Sequence, residues 1–216
     1  MNQRFPMQQR GQSLTEFLVA IFGLGLLLLA MLQAILFYRA KATVDYAAME
    51  AARAGALHGV DKGQMQNGLA RGLTPLYATA TASPGIAGTA EAYAKAYTAV
   101  RAFSTVKVLS PTTGSFDDFK EAQYDGTMAL PNDTLNFRAA TVGSRGGLSV
   151  QDANILKIQV SFSYPLIVPI IDRIVGTPDV ARTAIEGHKV YSLLIVSSAM
   201  ARMQSPITNR ANLEAP

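Results

Sequence analysis

The chain contains no cysteine, so no disulfide can staple the fold and no thiolate can ligate a metal. Histidine is nearly as scarce. His58 and His188 are the only two in 216 residues, and a two-histidine metal site needs a third ligand at a spacing that the sequence does not announce. No metal and no cofactor are expected. Basic tracts are missing as well: a formal net charge of +4, from 19 basic and 15 acidic residues, is scattered along the chain, which is not the balance of a nucleic-acid-binding surface. Three catalytic signatures are absent: G-x-S-x-G, the P-loop, and G-x-G-x-x-G between a strand and a helix. Gly143-Ser144-Arg145-Gly146-Gly147 reads as a flexible loop without the P-loop lysine. Asp117, Asp118, Glu121 and Asp125 crowd one stretch, but not in the order of a calcium loop with its terminal glutamate, so a solvated acidic loop is expected. The chain reads as a non-enzyme.

Charge is missing where it matters most. Residues 17–38, FLVAIFGLGLLLLAMLQAILFY, carry no ionisable acid or base and one strongly polar side chain, Gln33. At about 1.5 Å per residue a helix of this length reaches roughly 33 Å, enough to cross a hydrocarbon core of about 30 Å. The stretch reads as a transmembrane helix. Arg4 and Arg10 flank one end and Arg39, Lys41 and Arg53 the other, so loop charge does not decide its orientation. Some 175 residues follow without a second segment of convincing length; residues 192–203 are too short and broken by serines. They read as one soluble domain on one side of the membrane. A secretory signal cut after Ala42, at Ala40-Lys41-Ala42, is a poorer reading. Its apolar core exceeds the usual length of about 7–15 residues, and Lys41 stands beside the scissile bond. An uncleaved signal anchor on a partner-binding protein is the alternative.

In front of the span stands RGQSLTEF, residues 10–17. Ser13-Leu14-Thr15-Glu16 fits a capping box, with Ser13 closing the first turn and Glu16 reaching back to it. Such a cap contributes about 1 kcal/mol, and a carboxylate suits the positive end of the helix dipole. The same stretch resembles the N-terminus of type IV pilin-like proteins. There a membrane peptidase cuts after the glycine, and the glutamate becomes mature residue five. Glycine, four residues, glutamate and an aromatic, here Gly11 through Glu16 and Phe17, is similar to the pattern of Flp-type prepilins. Phe17 stands where those proteins usually have tyrosine.

Major Flp pilins are very short, so this longer chain more closely resembles the TadE-like minor pseudopilins of the tight-adherence (Tad) pilus system. Residues 47–56, AAMEAARAGA, are similar to the segment after the span in that family. The resemblance covers about the first sixty residues and extends loosely to Tyr164-Pro165-Leu166-Ile167-Val168-Pro169. It implies processing between Gly11 and Gln12 by a prepilin peptidase. Glu16, with Phe17, would serve filament entry by pairing with the N-terminal amine of a neighbouring subunit. Implied partners are the inner membrane, a Flp-type pilin, other pseudopilins and an inner-membrane assembly platform. The implied role is Tad (Flp) pilus biogenesis and surface adhesion, with the N-terminus cytoplasmic and the bulk periplasmic.

The helix should not stop at Tyr38, because residues 39–56 are good helix formers without proline. A continuous helix over about 14–56 is expected, roughly 60 Å long. Its small residues permit close approach: those of residues 47–56 onto the chain's own domain, and Ala20, Gly23, Ala30 and Ala34 onto pilin helices. Three segments result: a leader over 1–11, a transmembrane and stalk helix over 12–56, and a periplasmic α+β domain over 57–216 with a small antiparallel sheet and flanking helices. In that domain a helix over 62–73 should stop at Pro75, and 79–88 should be a connector. A second helix over 89–103 carries Tyr93, Ala96, Tyr97 and Val100 on one face. Strands are expected at 105–109, at 155–164 and at 191–203. The middle one alternates cleanly, with Leu156, Ile158, Val160, Phe162 and Tyr164 inward. Residues 166–175 should form a short amphipathic helix or turn. Residues 111–147 should form loops with one strand near 135–139.

Overall fold

The computed structural model describes residues 12–78 and 85–215. It begins with one unbroken helix, α1 (Gln12–Leu57), of 46 residues, about 69 Å at the usual rise. Among the described residues it is the one helix long and apolar enough to cross a membrane. Its halves differ. Up to Leu32 nearly every side chain from Leu14 on is exposed or half-exposed, whereas Ala40, Val44, Ala47, Ala48, Ala51 and Ala52 are fully buried. Those six recur at helical spacing and form one stripe.

The stripe is covered by α2 (Lys62–Tyr77), which runs back along α1. A Cβ added at Gly72 would strike the backbone of Ala47; one at Gly68 would lie 3.1 Å from Ala51 Cα and 3.0 Å from Ala54 Cβ. Glycine facing alanine brings the two helix backbones into contact. The reversal between the helices needs Gly59, at φ 59°, where an added Cβ would also lie 2.8 Å from the Pro206 carbonyl oxygen. Asp61 caps α2 by accepting from the Gln64 N–H at 2.8 Å. Helix α2 continues through Pro75 instead of stopping before it. Proline here removes one N–H in the final turn, where the Arg71 carbonyl alone loses its partner.

Helix α3 (Ile86–Phe103) starts three residues earlier than the expected 89, from Gly85; residues 79–84 of the expected connector lie outside the described residues. Ala92, Ala96, Ala99 and Val100 are buried, with Tyr93 and Tyr97 packed on the core edge. The chain then enters a four-stranded antiparallel sheet of β1 (Ser104–Ser110), β4 (Ile155–Pro165), β5 (Thr177–Pro178) and β6 (Tyr191–Arg202), in the order β1-β4-β6-β5. The register pairs Ile158 with Ala199, Val160 with Ser197 and Phe162 with Ile195. All six side chains are buried, so this face of the sheet lies on the helices, with α1 against β4 and β6. The inward alternation of β4 is as the sequence indicates.

The architecture is α+β: a long apolar N-terminal helix, a small antiparallel sheet, and flanking helices. The middle of the chain departs from expectation. Residues 135–137 form a 3₁₀ turn, not a strand. The extended pieces lie earlier, as a two-rung ladder of β2 (Glu121–Ala122) with β3 (Met128–Ala129). Three short helices also escape the sequence reading: α4 (Thr113–Phe119), α5 (Val150–Ala153) and α7 (Val180–Glu186), each capped by a polar side chain, from Thr112, Ser149 and Asp179. Residues 166–175 resolve into an extended turn followed by α6 (Ile171–Val175).

Candidate functional site

The residues singled out at the N-terminus lie on α1 or just before it. Gly11, and with it the Gly11–Gln12 processing site, falls outside the described residues. Gln12 already belongs to the helix, so Ser13 sits within the first turn rather than at its cap. The Ser13 side chain, on which the expected box rests, lies outside the described residues. Glu16 and Phe17 are both exposed, in the second turn.

Ala20, Gly23, Ala30 and Ala34 are exposed too, and a Cβ built on Gly23 meets nothing within 4 Å. At 3.6 residues per turn these four fall within an arc of about 80°. They share one face of the helix, and the chain's own domain does not cover it.

On another face the helix meets the domain. Gln33, the polar exception in the apolar run, is 4% exposed. Its Oε1 accepts hydrogen bonds from the backbone N–H groups of Ile167 at 3.2 Å and Val168 at 2.9 Å. Each such bond contributes on the order of 1 kcal/mol. One turn further on, Phe37 packs edge-on against Tyr164, ring centroids 6.3 Å apart. Lys41 pairs with Asp45 and donates to the Val196 carbonyl at 3.1 Å. Beside Gln33, Ile170 adopts φ 74° and ψ −52°, a strained γ-turn conformation, costing about 1–3 kcal/mol for a non-glycine residue. It lines an apolar groove together with Leu18, Phe22, Leu29 and Leu32 of the span. The sequence marks Gln33 as unusual; that its partners would be main-chain groups 134 residues away was not visible there.

The polar clusters of the domain are engaged internally. The Arg210 guanidinium, at 2.8 Å, with Lys120 assisting, holds the Asp117 carboxyl down at about 2. Asp118 accepts from the backbone N–H groups of Arg145 and Gly146, both at 2.8 Å, which pins the glycine-rich 143–147 loop that the sequence suggested was flexible. Glu121 pairs with Arg138 at 2.6 Å, and Asp125 accepts from the Thr127 hydroxyl at 2.6 Å. The acidic stretch is thus a set of loop clamps.

Near the end of β4, Arg182 is buried. It donates to the Ser163 carbonyl at 2.8 Å and lies 3.8 Å from the centre of the Phe103 ring. Burial pushes the neighbouring Asp179 carboxyl up, but the hydroxyls of Ser163 and Ser192 and the N–H and charge of Arg182 outweigh it, and the net direction is down. His58 bonds the Ala54 carbonyl at 2.8 Å, and His188 lies 3.6 Å from Glu186. Among the described residues no group of three or more His, Asp or Glu is placed to hold a metal ion.

The feature that distinguishes this molecule is therefore α1: exposed and apolar in its first half, clamped at Gln33, buried in its second. Compared with protein-family models, with curated proteins and with solved structures, the chain matches none of them.

Proposed function

We propose that this protein is a membrane-anchored minor pseudopilin, TadE-like in kind, that acts in assembly of a Tad (Flp) pilus. The observation that carries the reading is the continuity of α1. The residues after Gly11 enter at once a single helix that is exposed and apolar through Leu32 and becomes the central helix of an α+β domain. A prepilin peptidase cuts between Gly11 and Gln12 and frees an amine one helical turn from Glu16. Glu16 then pairs with the corresponding amine of a neighbouring subunit, a charge pair strengthened at the edge of the hydrocarbon. The exposed face of Ala20, Gly23, Ala30 and Ala34 lets another pilin helix approach closely. The N-terminus faces the cytoplasm, and the bulk of the chain lies in the periplasm.

The test is the intact mass of the full chain extracted from membranes of cells that contain the peptidase. A chain starting at Gln12 supports the proposal. One starting at Met1, the uncleaved anchor, or at Thr43, the secreted form, overturns it. A second measurement addresses Glu16 itself. Glu16→Gln should leave cleavage largely intact and reduce piliation; normal piliation would remove Glu16 from any assembly role.

A further inference from the structure

We infer that the segment from Ile167 through α6 is a second membrane contact, dipping into the acyl-chain boundary of the leaflet on the domain's side. This rests on the span over residues 17–38, not on the pilus reading. Gln33 stands five residues before Tyr38, so the backbone of Ile167 and Val168 bound to it lies roughly 7–8 Å below the outer end of the apolar run. Interfacial amphipathic segments bury their apolar face by about 5–10 Å. The two depths agree.

What the segment presents at that depth is apolar. Ile167, Ile170, Ile174 and Val175 are 65%, 50%, 67% and 53% exposed, four large aliphatic side chains within nine residues. Elsewhere on the domain, Ile86 and Phe137 stand singly, as is ordinary, and Leu194, Val196 and Met200 alternate along β6. Tyr38 and Arg39, both exposed one turn above Gln33, suit the headgroup level. On α6 itself, the Asp172 carboxylate accepts from the Arg173 N–H at 2.9 Å, and the exposed Arg173 side chain is long enough to reach the headgroups.

The lipid setting also accounts for Gln33. Non-helical backbone at hydrocarbon depth is tolerated only where it is buried in protein or lines a water-filled cavity, and Val168 is 3% exposed. Gln33 Oε1 accepts from two consecutive N–H groups there, and the loop in return screens the amide from the acyl chains. A bilayer is the one partner already continuous with this surface, since Ile170 extends the apolar wall of the span itself.

Because the chain lacks cysteine, single labels can be placed freely. Spin labels at Ile167→Cys, Ile174→Cys, Leu28→Cys and Phe137→Cys, each in the full chain in phosphatidylcholine–phosphatidylglycerol vesicles, are scored for collision with oxygen and with a water-soluble nickel complex. Positions 167 and 174 should resemble 28, with an oxygen-to-nickel ratio several-fold above that at 137. A ratio at 174 equal to that at 137 overturns the inference in favour of a solvated patch. Shielding of 167 and 174 from both reagents overturns it in favour of a protein partner, a second copy included. A water-exposed label at 28 overturns the span and this contact together. Cleavage after Gly11 would remain a separate result in every case.

Discussion

Both halves of α1 carry small residues, five alanines and glycines over residues 12–34 and nine over 35–57, and use them in opposite ways. In the second half, Ala47 and Ala51 meet Gly72 and Gly68 of α2 at backbone contact, and Gly55 lies against the Met65 side chain. In the first half, Ala20, Gly23, Ala30 and Ala34 are exposed, and a Cβ on Gly23 would meet nothing within 4 Å among the described residues. The difference is made by α2, which turns back at Gly59 and runs antiparallel to α1, its last turn reaching the groove beside Leu36 and Arg39. Below that point, among the described residues, Gln33 holds the Ile167 and Val168 N–H groups and Ile170 lines the groove along the span.

The comparison is broken most forcefully by enlarging a glycine in each half. Gly72→Leu forces a side chain into the Ala47 backbone. Overpacking of this kind costs about 1–3 kcal/mol, and a backbone neighbour that cannot yield puts it at the upper end. The thermal midpoint of the domain should fall by roughly 6–12 °C in circular dichroism melts. Gly23→Leu, in open space, should change domain stability by less than about 0.5 kcal/mol. Equal midpoints for the two variants would mean that the α1–α2 contact is not what separates the halves. If the pseudopilin proposal holds, Gly23→Leu should instead lower piliation, a readout that Gly72→Leu would confound through misfolding.

The tie between the halves gives a smaller effect. Gln33→Leu removes the acceptor for two buried N–H groups, and each orphaned group costs about 1–3 kcal/mol locally. Hydrogen exchange of the Ile167 and Val168 amides should accelerate by about tenfold or more, 1.4 kcal/mol corresponding to a factor of ten. The amides of β4 near Ile158 should be unaffected. Unchanged exchange at 167 and 168 would show that the Gln33 acceptor does not protect those amides.

Which of these features the sequence announced follows from their physical range. The alanine stripe and the alternation of β4 are periodic over ten residues or more, and the period names both the element and its buried face; the apolar run is legible by its length and lack of charge instead. The β2–β3 ladder has two rungs, and α5 has four residues. Neither spans enough chain to show a period, and caps such as Thr112 and Asp179 gain meaning only once the helix they start is known. Pro75 misled because its effect depends on position: it breaks a helix interior but is tolerated in a last turn. The glycine-rich 143–147 loop looked mobile because its clamp, Asp118, lies 27 residues away. Of the N-terminal site, the residue types and their order are legible in the sequence. On the pseudopilin proposal, what they meet is another subunit.

The smallest effect concerns the surface around Asp117, where an ion pair joins α4 to the residues near the C-terminus. Arg210 holds Asp117 on the surface, and the Thr113 N–H donates to the Glu214 carbonyl at 2.9 Å nearby. Because the folded Asp117 carboxyl titrates at about 2, below its ordinary 3.8, its contribution is fully present above pH 3.8 and is lost as pH falls towards 2. Both partners are accessible to water, so screening keeps the effect small. Asp117→Asn should lower the midpoint by no more than about 2 °C at pH 7, and the difference from the parent chain should vanish near pH 2. The α1–α2 contact contains no titrating pair in its glycine–alanine seam. Gly72→Leu should therefore remain destabilising throughout that window, and a Gly72→Leu effect that faded with acid would show the seam to depend on charge after all.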